Sequence, residues 1–252
     1  MTTTKVRYNQ IKTGLPAGGD VNYNNVSLLL NMEGSNGSTT FTDSSSFGHG
    51  ITANGNASIS TSEFKFGSSS AYFDGSGDYL ITSSNSNFSM GALDFTWEAW
   101  VYVSGGSGYR QIFSTRPSNG ASAAEGSLAI NPSGGLTWYT HTFIANGGAI
   151  SGNTWHHVAI GRSGTSLTVW VDGLSVASAT NSDNLTGDIL SIGANNNGNE
   201  PFTGYIEGLR ITKGVARYTS SFSVPTAAFP AFESKEGKRL IVNANESIEL
   251  ES

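Results

Sequence analysis

The run Phe95–Val103, FTWEAWVYV, constrains this chain more than any other stretch. Side chains along a strand point alternately to its two faces. Phe95, Trp97, Ala99, Val101 and Val103 therefore share one face, and Thr96, Glu98, Trp100 and Tyr102 share the other. The first set is wholly apolar and the second carries two aromatics. Such a strand belongs in the middle of a sandwich, one face in the core and the other under a loop or against another surface.

The rest of the chain reads the same way. Alternating apolar runs recur from Val26 to Phe229 between Gly, Asn, Ser and Asp clusters, with no helical pattern long enough to compete. Only 13% of residues are charged and 32 are Gly, a mixture that suits short strands and tight turns and predicts negligible helix. Asp172-Gly173 between Leu167–Val171 and Leu174–Ala179 is a strong hairpin signal, because both central turn residues need positive φ. Further strands are predicted at Ala71–Phe73, Tyr79–Thr82, Tyr109–Ser114, Ser127–Ile130, Leu136–Phe143, Trp155–Arg162, Ile189–Ile192 and Phe202–Thr212. The fold class is all-β, a two-sheet antiparallel β-sandwich, and 252 residues fit one such unit. Its core should contain Phe95, Trp97, Val101, Trp155, Val169, Val171, Leu209 and Ile211. Residues 1–25 lack periodicity and read as an arm and linker, 26–232 as the sandwich. Residues 233–252, where eight of twenty side chains are charged, read as a separate tail in which 240–242 and 247–250 could pair.

Composition removes several classes of function. A net charge of −6 gives no footprint for a phosphate backbone, so nucleic acid is not an expected partner. No apolar stretch approaches the length of a membrane span, and the first residues, MTTTKVRYNQIKTGL, contain no apolar signal core, so neither a membrane nor a secretion signal is expected. Cysteine is absent, leaving packing, hydrogen bonds or an oxygen-ligated ion to stabilise the fold.

Four stretches, FKFGSSSAYFDGSGDYLIT (64–82), DFTWEAWVYV (94–103), TWHHVAIGRSGTSLTVWVDGLSVASAT (154–180) and FTGYIEGLRITKGVARYTSSF (202–222), together resemble laminin-G-like, concanavalin-A-like jelly-roll domains over roughly residues 26–230. The closing LRITKGVARYTSSFSVP is similar to versions in structural proteins of tailed phages. That resemblance implies a non-enzymatic virion protein displaying a lectin-like sandwich, with other virion proteins, copies of itself and a host-surface glycan as partners. A free extracellular lectin is the alternative. It also implies a structural Ca2+ at Glu33, Asp43 and Glu207, although the family more often has Asp where the two glutamates stand.

Candidate sites divide on their chemistry. Glucan-hydrolysing relatives carry a Glu-x-Asp-x-x-Glu strand, which is missing here, and Glu98 alone reads as a structural hydrogen-bonder. His156 and His157 are adjacent on a strand and cannot both face one metal, so packing is their expected role. No Ser-His-Asp set is apparent. A glycan site needs aromatic platforms and planar polar groups, which Tyr109, Arg110, Arg116, Tyr139 and His141 provide. Trp138 points opposite to Tyr139, so one of the two must be core. In the arm, Val6, Tyr8, Ile11 and Leu15 are the side chains expected to be buried by other chains on assembly.

Overall fold

The computed structural model describes residues 18–116, 125–140 and 143–233, with two further strands at 240–242 and 248–250. The strands are β1 (Val26–Leu30), β2 (Ile51–Asn54), β3 (Ser58–Ser60), β4 (Ser70–Asp74), β5 (Tyr79–Thr82), β6 (Phe95–Val103), β7 (Arg110–Ser114), β8 (Ser127–Ile130), β9 (Leu136–Tyr139), β10 (Phe143–Gly147), β11 (Trp155–Ser163), β12 (Ser166–Val171), β13 (Leu174–Thr180), β14 (Ser191–Ile192), β15 (Thr203–Lys213), β16 (Leu240–Val242) and β17 (Ile248–Leu250). Helix among the described residues is limited to two 3-10 turns, Tyr23–Asn25 and Ser86–Phe88.

Two antiparallel sheets result. An eight-stranded sheet runs β13-β12-β11-β6-β15-β4-β3, with β1 also on β15, and a seven-stranded sheet runs β10-β9-β8-β7-β14-β5-β2. Their inner faces enclose one core. Trp97 of β6 packs edge-on to Phe113 of β7 and Trp138 of β9, with ring centroids 5.3 and 5.5 Å apart. Such pairs add about 0.5–1.5 kcal/mol each beyond their area burial. The Asp172-Gly173 hairpin forms as expected, with φ of 50° and 77° at the two turn residues. The tail strands β16 and β17 pair with each other.

The second face of β6 is covered as its pattern predicts. Residues 214–229 cross the outer face of the eight-stranded sheet as a strap, held by Gly214 donating to Asp94 O and Phe222 to Gly173 O. Under it Glu98 is fully buried. One carboxylate oxygen accepts from Arg210 Nε and Nη2 at 2.9 and 2.7 Å, and the other contacts Tyr218 OH at 2.8 Å and His157 Nε2 at 3.2 Å. Burial alone would raise its pKa, but the Arg210 charge and the His157 hydrogen bond hold it down at about 2. Asp20 extends the network, taking Arg210 Nη1 at 3.0 Å and both Arg217 terminal nitrogens at 2.9 and 2.7 Å. Asp20 also bridges Glu233, so the segments that precede and follow the sandwich lie side by side on this outer face.

Five expectations need correction. Trp155 is only half-buried, because it sits opposite Tyr102 and so takes the outward phase of β6. Leu136–Phe143 is two strands, β9 and β10, paired antiparallel. The strand expected from Ile189 begins at Ser191. The short β2 and β3 are additions to the expected set. The sandwich's own contacts begin before residue 25: besides Asp20, Tyr23 donates to Ser44 O and packs with Val26, Leu29 and Phe229.

Candidate functional site

The outer face of the seven-stranded sheet carries a cavity of about 190 Å3. Register places Gln111, Ala129 and Thr137 opposite one another on β7, β8 and β9, with Ser127 opposite Tyr139 in another row. These short side chains make the floor. Tyr109, Arg116, Tyr139 and Glu200 make the walls. A bulge between Gln111 and Phe113 sets the phase of β7. It lets both Ile112 and Phe113 enter the core while Gln111 turns outward.

The walls are organised by charge. Arg116 is 5% exposed, lies 4.6 Å over the Tyr139 ring and pairs with Glu200 at 3.5 Å. Gln111 Nε2 donates to the same Glu200 oxygen, and Gln111 N donates to Glu200 O at 2.9 Å. Glu200 reaches this position with φ +57°, a left-handed conformation costly for a non-glycine residue. Two polar atoms of the floor are buried with no hydrogen-bond partner among the described residues, Gln111 Oε1 and Ser127 Oγ. Natural interiors leave few such groups, and each calls for a partner.

Of the glycan-site residues expected from sequence, Tyr109, Arg116 and Tyr139 come together here. Arg110 does not: it takes the inward phase of β7, and its guanidinium is spent on Gly105 O at 3.2 Å and Asn131 O at 3.4 Å. Trp138 is core, as one of the Trp138/Tyr139 pair had to be. His141 and the arm residues Val6, Tyr8, Ile11 and Leu15 lie outside the described residues. Gln111, Ser127 and Glu200 are site residues that sequence reasoning misses. A glutamine beside the apolar pair Ile112-Phe113 in the strand RQIFS is the one available signal.

The expected metal ligands do not assemble. Asp43 is surrounded by donors, Leu29 N, Ser45 N and Oγ, and His49 N, at 2.7–3.0 Å. Glu207 faces the N–H groups of Lys65 and Phe66, and Glu33 bonds Ser68. The Glu33 charge reaches Glu207, but Asp43 is taken up by its own donors and the three carboxylates do not form one group, so this set does not make the expected calcium site. No group of three acidic, His or Cys side chains converges elsewhere among the described residues. Burial raises the Glu207 pKa to about 7, the two backbone donors opposing and the Glu33 charge adding to the rise.

Contrary to expectation, a Ser-His-Asp line is present. Ser151 Oγ is 2.7 Å from His156 Nε2, and His156 Nδ1 is 2.7 Å from Asp172 Oδ2. It stands on the exposed surface at the hairpin turn, away from the cavity, and the other Asp172 oxygen accepts from His157 N. Through Asp172, the His156 ring and the His157 N–H join the turn of β12–β13 to β11.

Two packed antiparallel sheets with a polar, aromatic-walled cavity on an outer face define a lectin-like β-sandwich. The chain belongs to the concanavalin A-like lectin/glucanases superfamily, whose family model matches residues 74–217. No curated protein matches it. Similar solved structures include the binding domain of Paraclostridial Mosquitocidal Protein 1, at 14% identity and TM-score 0.60, over 77% of this chain and 50% of that one. The binding domain of botulinum neurotoxin DC in complex with rat synaptotagmin II matches at 16% identity and TM-score 0.55, over 77% and 50%. A third comes from botulinum neurotoxin type C, whose cell entry is described as dependent upon interaction with two ganglioside molecules; it matches at 14% and 0.57, over 77% and 49%. This chain spans about half the length of each, and at these identities the likeness is one of fold.

Proposed function

We propose that this chain is a non-enzymatic glycan-binding module whose site is the cavity between Tyr109, Arg116, Tyr139 and Glu200. The observation that carries this reading is an aromatic-walled hollow whose lining residues Gln111 and Ser127 hold buried polar atoms, Oε1 and Oγ, with no hydrogen-bond partner among the described residues. Aromatic faces take the C–H surface of a sugar while fixed polar groups take its hydroxyls. The ganglioside interaction of the type C neurotoxin, a structural neighbour, supports a glycan as ligand in the broad sense only. Glu200 is the single carboxylate among the described residues lining the cavity, whereas glycoside hydrolysis needs two.

We further propose that the module is displayed on a tailed-phage particle, as the resemblance of the 209–225 stretch implies. The free lectin is the rival. The placement of the segments at Asp20 and Glu233 on the sheet opposite the cavity supports attachment on one side and ligand on the other. A glycan panel tests the first proposal: binding should be lost in Gln111→Leu and Tyr139→Ala, and wild-type protein that retains no glycan would overturn it. Labelling of Ser151 by a fluorophosphonate probe would overturn the non-enzymatic part.

A further inference from the structure

The geometry points to a single neutral pyranose, the terminal residue of an uncharged glycan, as the ligand of this cavity; the inference rests on the glycan-binding reading above. Size comes first. A volume of about 190 Å3 lies below the roughly 300–1,000 Å3 of sites for drug-sized ligands, so one ring enters and the chain it terminates stays outside.

Charge decides the class. Arg116 is the one cation among the described lining residues, and Glu200 already neutralises it. An acidic sugar would leave the Arg116–Glu200 pair with a surplus negative charge and an ammonium sugar with a surplus positive one, neither met by another charged group among the described lining residues. On the floor, one acceptor and one hydroxyl have no hydrogen-bond partner among the described residues. Gln111 Oε1 can only accept, Ser127 Oγ can do either, and the second Glu200 oxygen accepts from nothing else among the described residues. Neighbouring hydroxyls on one sugar ring supply donors to all three, and a pyranose lacking charge leaves none of them opposed. The ligand class thus differs from a sialylated one.

The test uses the full chain and three matched series: methyl glycosides of glucose, galactose and mannose, each with its uronic acid and its 2-amino counterpart, titrated by saturation-transfer NMR. At least one neutral glycoside should bind, with its charged counterparts weaker by about tenfold or more, the loss of roughly one charge-assisted hydrogen bond. Ser127→Ala should lose affinity by about tenfold while melting no lower than wild type, because it removes a buried hydroxyl that has no hydrogen-bond partner among the described residues. Glu200→Gln should shift preference toward the uronic acids. Tighter binding of a uronic acid or amino sugar by wild type, lost in Ser127→Ala, would overturn the neutral assignment and leave the glycan reading intact. Absence of binding by every glycoside, or equal binding by wild type and Ser127→Ala, would overturn the cavity as a sugar site and this inference with it.

Discussion

Two buried glutamates on the outer face of the eight-stranded sheet pull stability in opposite directions with pH. Glu98 is held at about 2 in the fold against an ordinary value of 4.5, so its contribution is fully present above 4.5 and is lost as pH falls toward 2. Glu207 is raised to about 7, so its contribution is fully present below 4.5 and is lost as pH rises through 7. Glu207→Gln should therefore flatten the decline in melting temperature between pH 4.5 and 7, while Glu98→Gln removes part of the acid limb. Glu98→Gln also leaves Arg210 short of its main partner, and urea denaturation should register a cost of about 3–5 kcal/mol, as for other broken buried pairs. The structural role of Glu98 is legible in the sequence because a lone acid sits among aromatics on a two-faced apolar strand. Gln111, Ser127 and Glu200 are not legible in the same way. Glu200 meets Gln111 across 89 positions of sequence, a closeness that only the completed sheet creates.

Strands announce themselves when alternation is long or the turn chemistry is strict. Hence β6 and the β12–β13 hairpin can be read directly, whereas ITAN and SIS, the β2 and β3 segments, carry too little periodicity to stand out. The bulge in β7 is invisible for a related reason: an extra residue shifts the phase without changing composition, so alternation alone cannot put both Ile112 and Phe113 in the core. The hairpin turn also explains how the strap is seated. A Cβ on Gly173 would sit 2.0 Å from Phe222 O, at a φ of +77° that already disfavours a side chain. Gly173→Ala should cost more than about 1 kcal/mol in denaturant melts, and loosened contacts of Trp170 with Tyr218 and Phe222 should weaken the near-ultraviolet circular dichroism.

At the scale of the molecule, the two outer faces of the sandwich carry different features. The one bearing Asp20 and Glu233 holds the flanking segments, and the other bears the cavity. Removing residues 1–17 should leave the melting temperature unchanged while reducing oligomer mass by light scattering or incorporation into particles. No change in either measurement would favour the free lectin. Asp20→Ala, by contrast, should lower the melting temperature, because Arg210 and Arg217 would lose a buried shared partner. The Asp20 linkage has a mechanical consequence. Tension applied through the residues ahead of Gly18 enters at Asp20, passes through Arg210 to Glu98 and is taken up by β6, a strand flanked on both sides by long neighbours. The cavity-lining strands β7, β8 and β9 belong to the other sheet and lie off that line of force, so the hollow would keep its shape under such a pull.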